Sequence, residues 1–323
     1  MFTTNDDQGT TTTIWVQNLA AKLGLDITPA FHVYNHVESP CPGRVSCTAY
    51  ARGGARVTSR SEAGLSLWAG GTPKSSMPVV EQIDAHLARS NGTFKSTDLI
   101  IVWAGMNDVV AQMANWSTTK RHILSLYENR IISGAQGFEM YQAATAYARD
   151  AMVQAATELI HYVRYSIVQN GGAYVIVIGI PNFSGSPYGI ATNETEMLSS
   201  LCDIFNQKVH IELSKPFDNK AASPFSIEFI NPTALFGSIS QLGFENVRTP
   251  ACDETKIGTF IGEATPTEWS LWCNTGAAYN HLASGASAST WFWADDMHPT
   301  TGGHRLLSEA LWNQLRNVRR WVA

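Results

Sequence analysis

The chain of 323 residues lacks several of the signatures that would classify it at once. Its five cysteines contain no Cys-x-x-Cys pair, which argues against a structural zinc site. No apolar run approaches the length needed to cross a bilayer, so no transmembrane segment is expected. Basic residues cluster only at Arg316, Arg319 and Arg320, and a net charge of -5 with a pI near 6.0 leaves no footprint for nucleic acid. Charged residues make up only 15% against 44% apolar, a balance that points to a folded core and not to disorder. No Gly-x-Ser-x-Gly elbow is present, and residues 1–13 are Thr-rich and loop-like, with no signal-peptide pattern.

Among what is present, Cys41 and Cys47 flank a Pro-Gly turn, and Cys252 and Cys273 flank a loop rich in Gly, Thr and Pro. Both pairs read as disulfide staples, which implies an oxidising compartment; Cys202 sits in a helical pattern and reads as buried. The ten tryptophans and thirteen phenylalanines are numerous, and Trp68, Trp116, Trp269, Trp272, Trp291 and Trp293 lie in or near loops. Packing accounts for most of them, and they select no substrate.

Periodicity predicts a short amphipathic helix over 14–23 stopped by Gly24, a helix over about 78–88, a long helix over 139–169, another over 196–213 and a closing helix over 306–318. Continuous apolar runs at 98–104 and 173–180 read as buried strands, and 226–230 reads as a third strand. Such strands separated by helices indicate a parallel sheet covered on both faces. With no repeat and no linker, residues 1–323 read as one domain, and 110–138 and 240–293 as substrate-shaping insertions.

The most informative stretch is Ala294-Asp295-Asp296-Met297-His298-Pro299-Thr300-Thr301-Gly302-Gly303-His304-Arg305. A carboxylate three residues before an imidazole, on a Pro/Gly-bounded turn, can fold back to fix the ring's tautomer and stabilise its charged form. His298 then reads as a general base and Asp295 as its orienting partner. A metal bound by Asp295, Asp296, His298 and His304 is the minority reading, and neither metal nor organic cofactor is expected. At the end of the first buried strand, Gly105-Met106-Asn107-Asp108 allows close backbone approach and offers the Asn107 amide to a developing oxyanion. Gly53-Gly54 offers a second N–H for the same oxygen.

Together these segments resemble the GDSL (SGNH) family of serine esterases and lipases, particularly its bacterial phospholipase/lecithinase/haemolysin-like branch. Ala49-Tyr50-Ala51-Arg52-Gly53-Gly54-Ala55 is similar to the second family block and assigns the oxyanion glycine to Gly54, with Gly53 as fallback. Trp103 to Asp108 is similar to the third block, with Asn107 in the oxyanion role, and Asp295 to Arg305 to the fifth, with Asp295 and His298 in the triad. Trp15 to Ala20, Phe205 to Gln207 and Gly243 to Cys252 extend the resemblance over essentially the whole chain. It implies a three-layer α/β/α sandwich with a flavodoxin-like sheet of order 2-1-3-4-5. It also implies hydrolysis of carboxylic esters, a small-molecule ester or lipid as partner, and a secreted, cell-surface or periplasmic full-length form.

One block departs. The family's first strand and its Gly-Asp-Ser-Leu turn should precede a segment like Phe2-Thr3-Thr4-Asn5, and Gly-Asp-Ser occurs nowhere. Ser59, Ser61, Ser184 and Ser186 lie near the relevant loops, but no motif marks any of them as a nucleophile. The chain therefore reads as N-terminally shortened, with its first strand absent. Unpaired sheet edges would then be open to self-association. The alternative reading is a non-catalytic relative that keeps the pocket to bind lipid or glycan.

Overall fold

The structure, a computed structural model, describes residues 4–34, 37–41, 47–60, 76–217, 225–261, 269–276 and 280–317. Phe2, Thr3, Ser61, Trp68, Val318, Arg319 and Arg320, and the side chain of Trp269, lie outside the described residues. Helix α1 (Trp15–Lys22) ends where Gly24 takes a left-handed φ of 70°. The Gly24 and Leu25 amides then donate to Ala21 and Ala20, which satisfies carbonyls the helix leaves unpaired. Strands β1 (Phe31–Tyr34) and β2 (Val37–Pro40) form a small antiparallel ribbon, followed by α2 (Val79–Arg89).

The main sheet holds β3 (Leu99–Trp103), β4 (Tyr174–Ile178) and β5 (Ser226–Ile230), parallel and in the order β3-β4-β5. Between β3 and β4 lie α3 (Met106–Glu128), α4 (Gly134–Tyr162) and a π-helical turn over Val163–Val168. Between β4 and β5 lie α5 (Pro187–Thr192) and α6 (Thr195–Ser214). After β5 come α7 (Thr233–Gly237), α8 (Glu254–Ile261) and α9 (Thr301–Asn317).

Alternation along the strands sorts the apolar side chains onto two faces. Leu99, Ile101, Trp103, Ile176, Ile178 and Ile230 meet Leu19 of α1 and Leu311 and Leu315 of α9. Ile100, Val102, Val175, Val177, Ile227 and Phe229 meet α2, α3, α4 and α6 through residues such as Ile83, Val109, Met152, Leu159 and Phe205. The fold is thus an α/β sandwich with helices on both faces of a parallel sheet, as the buried strand runs predict. Among the described residues β3 pairs with β4 alone, and β1 and β2 stand apart from this sheet.

Two expectations need correction. Residues 110–138, read as an insertion, are helical: they continue α3, turn, and enter α4. Ser133 caps α4, accepting from the Gln136 amide while the Gln136 side chain accepts from the Ser133 amide, so the helix begins five residues earlier than periodicity predicts. Its far end does not stay α-helical to Gln169 but widens into the π-helical turn, which keeps Val163, Ile167 and Val168 buried. The two helices run antiparallel, with Trp116 Nε1 donating to Thr145 at 3.1 Å and Ile123 beside Gly137.

Cys41–Cys47 and Cys252–Cys273 are disulfides, a pattern compatible with an extracellular location. Burial pushes the Cys202 thiol up to about 12, so it is a core side chain and not a reactive one. Among the described residues no helix is long and apolar enough to cross a membrane, and no group of His, Cys, Asp or Glu could hold a metal ion.

Candidate active site

The parallel strands bring Trp103, Ile178 and Ile230 to one end of the sheet, and the chain leaves β3 through Gly105. Gly105 has a φ of 104°, which favours glycine, and it starts α3 so that Asn107 and Asp108 fall in the first helical turn. The partly positive helix N-terminus is a favourable place for developing negative charge. Asn107 Nδ2 donates to the Ala55 carbonyl at 2.9 Å, which brings this turn against the Gly53–Val57 segment. Gly54 is left-handed, with a φ of 72°. The two residues assigned to the oxyanion role, 53 positions apart in sequence, therefore belong to neighbouring turns.

Asp108 is missed by sequence reasoning as a separate contributor. Its buried carboxylate accepts from Arg56 Nε at 3.1 Å and from the Val57 amide at 3.0 Å. Burial raises its pKa, although the Arg56 charge and the Val57 amide oppose that rise.

The turn that carries Asp295 and His298 is closed by backbone bonds across its base. Ala294 donates to the His298 carbonyl at 2.7 Å, and Thr300 to Phe292 at 2.9 Å. Inside it the Asp295 carboxylate is fully buried and accepts from His298 Nδ1 at 2.8 Å. It also accepts from the Met297 and His298 amides at 2.9 and 2.7 Å, and from the Ser270 amide at 3.4 Å. Burial alone would raise the Asp295 pKa. The His298 charge and hydrogen bond, with the Ser270 and Met297 contacts, overcome that and hold it below the ordinary carboxylate range. A carboxylate at Nδ1 keeps the ring proton there and directs the Nε2 lone pair outward, the tautomer a general base requires.

Met297 packs into the same core as Val57, Ala104, Val109 and Phe183, and the Tyr188 amide donates to the Asp296 carbonyl at 3.1 Å. These contacts fasten the histidine turn to the end of the sheet where Asn107 lies. Thr301, three residues beyond His298, is tied to Thr4, whose hydroxyl accepts from its amide at 3.2 Å.

Asp296 behaves differently from its neighbour. Burial, Asp295 and Glu254 push its carboxyl up to about 6, against the pull of His298. The folded pKa thus lies above the ordinary 3.8, so the ionised form weakens the fold near neutral pH. The penalty begins to shrink as pH falls through 6 and is gone below the ordinary 3.8. Asp296→Asn is expected to stabilise the protein by about 1 kcal/mol near pH 7, after discounting for partial solvent exposure, and by almost nothing near pH 4. Urea unfolding at the two pH values reads this; equal gains at both would refute the origin given.

Of the serines considered as nucleophiles, Ser59, Ser184 and Ser186 lie among the described residues. Ser186 is buried, with its hydroxyl accepting from the Gly189 amide as the cap of α5. The Ser184 amide donates to Asn182, and its side chain lines a groove of about 580 Å³ on the first half of α6, with Glu196, Ser199 and Asp203. Neither Asp295, His298, Gly54 nor Asn107 lines that groove. Ser59 is exposed. Trp116 and Trp293 are packed inside, with their ring N–H groups donating to Thr145 and to the Val247 carbonyl. Compared with protein-family models and with curated proteins, the chain gives no match.

Proposed function

We propose that the chain is a carboxylic ester hydrolase of the GDSL (SGNH) type, to which it contributes the acid–base pair and the oxyanion donors. The observation that carries the reading is the buried Asp295 carboxylate held at 2.8 Å from His298 Nδ1. The placement of Asn107 against the Gly54 turn supports it.

In the proposed reaction a serine hydroxyl, from a segment with no counterpart in these 323 residues, attacks the acyl carbon of the ester. His298 Nε2 takes the hydroxyl proton, and Asp295 stabilises the imidazolium that forms. The carbonyl oxygen gains the negative charge and receives the Gly54 N–H and the Asn107 amide. As the tetrahedral species collapses, the ester C–O bond breaks and His298 returns the proton to the departing alcohol. Water, deprotonated by the same ring, then cleaves the acyl-serine and releases the acid.

A peptide carrying an apolar strand and a Gly-Asp-Ser-Leu turn, mixed with the chain, is expected to release nitrophenolate from p-nitrophenyl acetate with saturation kinetics. His298→Ala should abolish that release. No restored turnover, or turnover that survives His298→Ala, would overturn the reading. A second reading, a non-catalytic lipid or glycan binder on the same scaffold, anticipates no turnover with the peptide. Self-association through the outer edge of β3 belongs to either reading as a proposal, because a strand edge templates pairing with another chain.

A further inference from the structure

We propose that Asp108 is a positioning residue that builds the two-donor oxyanion site by locking the Gly53–Val57 turn onto the first turn of α3. Its purpose rests on the ester-hydrolase reading above, whereas the lock itself is tested without turnover.

Adjacent residues of α3 grip adjacent residues of the turn. Asn107 holds the Ala55 carbonyl at 2.9 Å, and Asp108 holds Arg56 Nε at 3.1 Å and the Val57 amide at 3.0 Å. The α2 start grips the same turn from the other side, with the Val79 amide donating to Arg56 at 3.0 Å and the Val80 amide to Val57 at 3.3 Å. Gly54 has no side chain to anchor it, so the direction of its N–H is set by its neighbours. One neighbour, Gly53, accepts from the Ser76 hydroxyl; the other, Ala55, is held by Asn107.

The chemistry requires a carboxylate at this point. Two donors reach it from different directions, one charged and one a backbone amide, and two acceptor oxygens serve both. An asparagine would turn an NH2 group towards one of them. With 3% of Asp108 exposed, water cannot replace a lost bond. The separation of Asn107 from Gly54 thus depends on a residue that itself contacts no substrate.

The test compares isotope-labelled wild type, Asp108→Asn and Arg56→Gln by NMR and amide exchange. The expected result is movement of the Gly54 amide and Asn107 side-chain signals in both variants, with the larger movement in Asp108→Asn. Exchange of the Val57 amide should accelerate about tenfold or more, the scale of losing a hydrogen bond to a charged group. Amides of Met152 and Leu201, in the core of α4 and α6, should keep their protection, which shows that the fold survives. In the peptide-complemented protein, Asp108→Asn should lower kcat about 100-fold and leave KM within about twofold, as expected when donors act only in the transition state. Unchanged Gly54 and Asn107 signals in both variants would overturn the proposal. Shifted signals in a protein that the peptide does not activate would uphold the lock and remove the hydrolase reading.

Discussion

Replacing Asp295 with asparagine is expected to lower turnover of the peptide-complemented protein by about 10⁴-fold, the scale on which loss of the orienting carboxylate acts in serine hydrolases. The wild-type carboxylate accepts every hydrogen that points at it: the His298 ring N–H, the Met297 and His298 amides and the Ser270 amide. An asparagine can accept at only one of its two positions. Either the ring loses its Nδ1 partner and takes the wrong tautomer, or the backbone of the turn loses its anchor. Substrate affinity should change little, because Asp295 is fully buried. Steady-state kinetics on a short-chain ester give the measurement. A loss of less than about tenfold would mean that His298 is oriented by something else.

The largest expected effect on stability belongs to Gly105→Ala. A Cβ there would lie 2.5 and 2.8 Å from ring carbons of Phe205 and 2.9 Å from Ile180 Cδ1. Both neighbours are fully buried, so neither has solvent to move into. The φ of 104° adds a backbone penalty that any L side chain incurs. Overpacking and left-handed strain together amount to about 2–5 kcal/mol. Urea unfolding should show that loss with an unchanged slope. A loss under about 1 kcal/mol would show that Phe205 and Ile180 yield readily. Asn107 is two residues away, so the substitution should also displace the oxyanion donor.

The outcome of reading the sequence depends on how local each signal is. The β5 strand matches the expected strand from Ser226 to Ile230 because Asn231-Pro232 ends it sharply. The β1–β2 ribbon is not legible, since two four-residue strands in mixed sequence carry no distinct period. Residues 110–138 read as an insertion because α3 carries many polar positions and buries only a narrow stripe. The Ser133-x-x-Gln136 pattern was the available signal that a helix starts there.

The candidate site divides in the same way. Asp295 and His298 meet within a single turn, so their three-residue spacing already carries the geometry. The meeting of Asn107 with Ala55 spans 52 residues, and no spacing or periodicity in the sequence carries its geometry. Asp108 and Ser270 are found by neither route. Their contributions depend on which backbone amides the tertiary fold delivers to a carboxylate.

The layer formed by α1 and α9 has a consequence for the order of events during synthesis. Its two helices begin at Trp15 and Thr301, so one apolar face of the sheet waits for the last of its cover until residue 317 has been made. Throughout that interval Leu99, Ile101, Ile176 and Ile178 have only α1 to shield them. Thr4 likewise waits for Thr301, a partner 297 positions away. Closure over such a separation is slow, and it comes after the α3, α4 and α6 layer has had time to assemble. The histidine turn is therefore completed late, and a nascent chain carries a sticky, half-covered sheet from the completion of β5 until α9 has been made.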